Sequence, residues 1–126
     1  MATRESQLQD LIRLELGRVP GLVCWRNNTG SIEARQGYRI AFGCGGAGGA
    51  DLLGLYRGRF VAVEVKTPTG RQTPEQCIYQ KLVESKGGIY VVLRSVEEAR
   101  AWAHDLAAMT RSWAIALAAE PAEPST

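Results

Sequence analysis

The chain has 126 residues, enough for one compact domain and too few for two of ordinary size. Apolar residues at 45% and charged residues at 22% describe a globular chain and exclude a disordered one. The formal charge of +2 does not by itself announce a nucleic-acid partner, but its distribution is uneven: residues 35–71 set six cations against only Asp51 and Glu64, while 1–34 is neutral and 72–126 is acidic. The single histidine, His104, excludes His-rich metal sites, HExxH metalloproteases and nuclease sites built on several histidines. Three cysteines, Cys24, Cys44 and Cys77, cannot all pair and form no CxxC motif, so free, mostly buried thiols in a reducing cytoplasm are expected. No apolar leader opens the sequence, and the most apolar stretch, 101–119, is broken by His104, Asp105 and Arg111. Neither a signal peptide nor a membrane span is expected.

In chain order, residues 4–17 predict a helix, capped by Thr3, with Leu8, Leu11, Ile12 and Leu16 on one stripe and Gly17 and Pro20-Gly21 ending it. Leu22 to Arg26 predicts a strand closed by the turn run Asn27-Asn28-Thr29-Gly30. Residues 31–42 are ambiguous, with a second strand ending near Phe42 as one reading. Gly43 to Gly49 carries five glycines and predicts a mobile loop or a plain connector. It matches GxGxxG literally but opens a strand, so a nucleotide-binding reading fails on context, and no nucleotide cofactor is expected. Strands at 51–57 and 60–67 join at Gly58, with Val61, Val63 and Val65 alternating against Phe60, Ala62, Glu64 and Lys66. Thr73 with Gln76 predicts a capping box, Pro74 the first helical residue, and Gly87-Gly88 the end of a helix over 74–86. Ile89 to Arg94 reads as a strand buried on both faces or at a sheet centre. Ser95 and Glu98 predict a second capping box. The last helix has a stripe of Ala99, Trp102, Ala103, Leu106, Met109 or Thr110, Trp113 and Leu117. Residues 1–119 then form a single α/β domain, in the order α-β-β-β-α-β-α with the 31–42 strand left open, and 120–126 is a disordered tail.

The segment with chemistry in it is Asp51 followed thirteen residues later by Glu64-Val65-Lys66. A two-residue turn containing Gly58 gives paired residue numbers summing to about 115 or 117, and either register puts Asp51, Glu64 and Lys66 on one face of the sheet. The valine ladder seeks the core and turns the three charged side chains the other way. Two carboxylates this close stay ionised together only if a cation lies between them, and oxygen donors without His or Cys favour Mg²⁺, with Mn²⁺ as a substitute. The same pattern also fits a solvated face with one cross-strand salt bridge.

Asp51-Leu-Leu-Gly-Leu, Gly58-Arg59-Phe-Val-Ala-Val-Glu64-Val-Lys66-Thr-Pro-Thr-Gly70-Arg and Thr73-Pro-Glu-Gln76 together resemble the virus-type replication-repair nuclease (VRR-NUC) domain of the PD-(D/E)XK nuclease superfamily. Trp25-Arg-Asn-Asn-Thr-Gly30 upstream and Gly87-Gly-Ile-Tyr-Val-Val with Ser95-Val-Glu-Glu downstream extend the resemblance over roughly residues 5–98. Ala50 stands where that pattern has proline. The resemblance implies a restriction-endonuclease-like mixed central sheet flanked by helices. It also implies a Mg²⁺-dependent DNA endonuclease, structure-selective for branched or four-way junction DNA, working as a homodimer in a bacterial or phage-infected cell. Asp51, Glu64 and the carbonyl of Val65 would bind metal, with Glu5 (or Glu15) as a further acid from the first helix. Lys66 would position the attacking water, and Gln76 would face the site. Arg26, Asn27, Asn28, Arg39 and Arg71 would contact nucleic acid, and Trp102 and Trp113 are candidates for core or dimer interface. A non-catalytic DNA-binding module that retains the nuclease fold is the alternative.

Overall fold

A computed structural model describes residues 4–46 and 48–119 of the chain, the side chains through Ser112. The expected cap at Thr3, Ala47 of the glycine loop, the side chains of Trp113 and Leu117, and the 120–126 tail lie outside the described residues. The element order is α1 (Arg4–Leu16), β1 (Leu22–Arg26), β2 (Gly30–Glu33), β3 (Arg39–Phe42), β4 (Leu52–Tyr56), β5 (Arg59–Val65), α2 (Pro74–Ser85), β6 (Ile89–Leu93) and α3 (Val96–Ala119). No helix among the described residues is long and apolar enough to cross a membrane.

Four strands make a mixed sheet in the order β1-β4-β5-β6, with β5 and β6 parallel and the other pairs antiparallel. The β4–β5 turn is Arg57-Gly58, both with positive φ (47° and 82°), the geometry of a two-residue type I′ hairpin. Pairing therefore runs Tyr56↔Arg59 to Leu52↔Val63, and the next step of that register sets Asp51 opposite Glu64. Gly54 sits mid-strand because a Cβ there would lie 2.3 Å from the Val23 carbonyl oxygen.

The valine ladder behaves as its spacing predicts. Val61, Val63 and Val65 are fully buried with Ile12, Leu16, Leu52, Leu93, Ala99 and Leu106 in the main core, formed between the sheet and the α1–α3 layer. Trp102 and Met109 pack against that core, so Trp102 serves the monomer's own packing. The end of the opposite face that carries Glu64 is not left to solvent. Leu53 and Ala62 are buried there with Ala50 and Val83, and α2 lies over them. Burial on both faces explains why Glu64 is only 2% exposed.

The structure refines the sequence reading in three places. β6 is an edge strand, not the sheet centre. Its apolar run is explained by helices on both faces: Ile89 and Leu93 join the main core, and Tyr90 the smaller one under α2. Residues 31–42 form a separate two-stranded hairpin, β2–β3, whose strand residues are all exposed. The second capping box is also shifted. Ser95 Oγ accepts from the Glu98 N–H as expected, but the Glu98 carboxylate accepts from the Arg94 N–H.

Candidate active site

The acids meet where the β4–β5 ladder ends. Beyond the last backbone pair, the Asp51 side chain takes over the role of a strand carbonyl: its Oδ2 accepts the Val65 N–H at 2.8 Å. That bond fixes the carboxylate beside Glu64. Glu64 Oε1 accepts from Gln76 Nε2 at 3.0 Å and lies 3.8 Å from Lys66 Nζ. Glu64 Oε2 is buried without a partner among the described residues. Its carboxyl is pushed up to about 8, first by burial, then by the charge of Asp51 and by the hydrogen bond that a protonated Glu64 shares with Asp51, against the opposing pull of Lys66. A buried acid with an oxygen that no donor group reaches, beside a second acid, can be held only as a protonated pair or by a cation.

Gln76 answers the question of cap or site by being both. Its Oε1 accepts the Thr73 N–H at 2.8 Å while its Nε2 donates to Glu64, and Thr73 Oγ1 accepts the Gln76 N–H at 3.2 Å. One amide therefore closes the first turn of α2 and orients the buried carboxylate.

Glu5 is near but not within this group. Its charge raises the Glu64 carboxyl slightly, yet among the described residues no three His, Cys, Asp or Glu gather closely enough to hold a metal ion. The apolar stripe of α1 packs on the valine side of the sheet, whereas Glu64 faces α2. Glu15 is committed elsewhere, 2.8 Å from Arg100 on α3. The side chains here that could hold a cation are Asp51 and Glu64. Two carboxylates, one with an orphaned oxygen, fit a hard divalent ion that keeps part of its water shell.

The expected nucleic-acid residues separate. Arg26 is tied to α1, donating to Ser6 Oγ and Gln9 Oε1 and lying 3.8 Å from Asp10. Arg39 donates to Ser31 within the β2–β3 hairpin, and Asn28 and Arg71 are exposed. Asn27 spends its side chain on the glycine loop: Nδ2 donates to the carbonyls of Cys44 and Ala50, and Oδ1 accepts the Cys44 N–H. The described residues of that loop are seated against α2. A Cβ at Gly45 would meet the Tyr79 ring at 2.7 Å, and one at Gly48 the Glu75 backbone at 2.5 Å. The thiols are free, but Cys44 is exposed, against the expectation of burial; burial pushes the Cys24 thiol up to about 11.

Arg94 was not legible as a site residue. Its Nη1 donates to the carbonyls of Thr67 and Gly70, holding the turn that follows Lys66. The only sequence signal is a cation closing an otherwise apolar strand.

No family model matches the sequence, and no curated protein is significantly similar to it. Among solved structures, one described as a VRR_NUC domain aligns with a TM-score of 0.55 and 23% identity, over 79% of this chain and 92% of its own. A mixed sheet flanked by helices, shared over that much of both chains, shows that this chain has the fold of a VRR-NUC domain.

Proposed function

We propose that the chain is a metal-dependent DNA endonuclease that hydrolyses phosphodiester bonds at Asp51, Glu64 and Lys66. The observation that carries this reading is the buried, unpartnered Glu64 Oε2 held beside Asp51. A packed sheet end has no structural use for two adjacent acids, and the pair is costly until a cation arrives. Bound Mg²⁺ would neutralise both carboxylates and offset the charge that develops on the phosphorus. The chain's own residues do the positioning. Gln76 fixes Glu64, the Val65 N–H fixes Asp51, and Lys66, with its side chain 14% exposed, can hold and orient the attacking water from the solvent side. In-line attack would leave 5′-phosphate and 3′-hydroxyl ends, as the family resemblance implies. The excess of cations in 35–71 supports a polyanionic substrate. A non-catalytic DNA-binding module is less well supported, because it would bear the cost of the acid pair without using it.

The test is a cleavage panel of linear, flap and four-way junction DNA with Mg²⁺, Mn²⁺ or chelator. Cleavage with either metal and none in chelator is expected; undiminished cleavage in chelator overturns the reading. If roughly four phosphates are neutralised, log affinity falls against log salt with a slope of about −3 to −4.

A homodimer belongs to the same proposal, since one chain holds one such site and symmetric cutting of two strands needs two. With Trp102 packed inward, the uncovered row Val23–Leu55–Phe60, beside Trp25, is the better candidate face; these side chains are 38–60% exposed. Light scattering at micromolar concentration is expected to give twice the 13.7 kDa chain mass, and a monomer there counts against it.

A further inference from the structure

The geometry points to Asn27 as the positioning residue of this site, a latch of four hydrogen bonds and one packed loop that holds the supports of both acids at once. Asn27 follows β1, the strand next to β4, and grips the glycine loop at both ends. Nδ2 donates to the Cys44 carbonyl at 2.8 Å and to the Ala50 carbonyl at 2.9 Å. Oδ1 accepts the Cys44 N–H at 3.1 Å, which makes the bond to Cys44 reciprocal. The Asn27 backbone N–H donates to the Asp51 carbonyl at 2.9 Å. The peptide groups on either side of Asp51 are therefore both fixed by one residue, and so is the origin of the side chain whose Oδ2 accepts the Val65 N–H.

The second arm runs through the loop. Between the ends that Asn27 holds, Gly48 lies against the Glu75 backbone and Gly45 against the Tyr79 ring, so closely that no side chain fits at either. The loop thus abuts the first turn of α2, which carries Gln76 and its bond to Glu64. Only an Asn side chain short enough to stay near its own backbone, with two donors and an acceptor, can meet the Cys44 peptide on both sides and still reach Ala50. A phosphate contact would leave these loop groups unpaired. Asn27 acts through Asp51 and Gln76, not on the substrate.

The inference rests on Asp51 and Glu64 being the working pair, but its test needs neither metal nor DNA. Two backbone amides report the two arms in the full, metal-free chain: Val65 N–H, bonded to Asp51, and Thr73 N–H, bonded to Gln76. In Asn27→Ala, hydrogen exchange at Val65 and Thr73 is expected to quicken on the order of tenfold or more, while Val61 and Val63 in the same sheet keep their protection. In Gly48→Ala, which breaks the seat on α2 and strains the loop backbone at a φ of 88°, Thr73 is expected to quicken more than Val65. Unchanged exchange at Val65 in Asn27→Ala overturns the proposal, and so does a uniform rise that includes Val61 and Val63, which is mere loss of stability. Should Asn27→Ala not fold, Asn27→Ser, which keeps an acceptor for the Cys44 amide, carries the same measurement with the same outcomes. In cleavage assays a positioning role lowers kcat and leaves KM for DNA unchanged. A raised KM with unchanged kcat would return Asn27 to direct DNA contact. Failure of the exchange test leaves the nuclease reading standing, and absence of cleavage in the wild-type chain leaves the exchange result intact.

Discussion

Asp51→Asn and Lys66→Ala are each expected to lower DNA cleavage on the order of 10²-fold or more, with DNA affinity kept within about twofold. The magnitude is that of removing one strong, preorganised electrostatic interaction from a transition state. Asn is the better replacement at 51 because its Oδ1 can still accept the Val65 N–H, so the end of the ladder stays closed and the loss is confined to charge. Asp51→Ala removes the acceptor as well and leaves that backbone donor to find another partner. At Lys66, the ammonium 3.8 Å from Glu64 Oε1 is the cation that pulls the Glu64 carboxyl down, so its removal raises that carboxyl further. Rates come from gel assays under single-turnover conditions, and affinity from anisotropy in Ca²⁺. Wild-type cleavage by either variant sinks the assignment; a parallel loss of binding would make these residues DNA contacts instead.

Glu64 should also make the metal-free protein lose stability as pH rises. The sign follows from the direction in which the carboxyl is moved. In the unfolded chain it titrates near 4.5, and in the fold it is raised to about 8, first by burial and then by the Asp51 charge. Below pH 4.5 both states hold the proton and the group contributes nothing. Between 4.5 and 8 the folded state keeps a proton that the unfolded state has released, so stability falls with pH; above 8 the full cost of a buried, ionised acid is present. A tenfold difference in proton affinity between the two states is worth about 1.4 kcal/mol, so the loss in wild type between pH 5 and 9 is on the order of a few kcal/mol. Glu64→Gln removes the titration and is expected to flatten the profile, exceeding wild type in stability at pH 8 while cleaving no DNA. Urea unfolding with chelator at several pH values measures this. Adding Mg²⁺ at pH 8 should recover stability in wild type but not in Glu64→Gln, because a ligand stabilises only the state that binds it. Superimposable profiles for the two proteins would show that Glu64 carries no such burden.

Local chemistry wrote much of this fold into the sequence. The Thr73/Gln76 capping box, Pro74, and Gly87 with φ 84° bound α2 where their side chains and backbone freedom require. The valine alternation fixed the core face of β5, and the two-residue turn at Arg57-Gly58 then fixed the register that pairs Asp51 with Glu64. These features act within one hairpin or one helical turn, so neighbouring residues suffice to specify them.

What depends on distant segments was decided only in three dimensions. That β6 lies at an edge and still reads as fully apolar follows from helices on both faces. That Glu64 is buried with an idle oxygen, instead of solvated on an open face, follows from α2 closing over Ala62 and Leu53. That the charge of Glu5 reaches Glu64 follows from where α1 packs, and that Asn27 serves the glycine loop follows from β1 pairing with β4. The residues themselves could be picked out by type and spacing, but their charge state, partners and exposure are set by what packs against them, which no local pattern encodes.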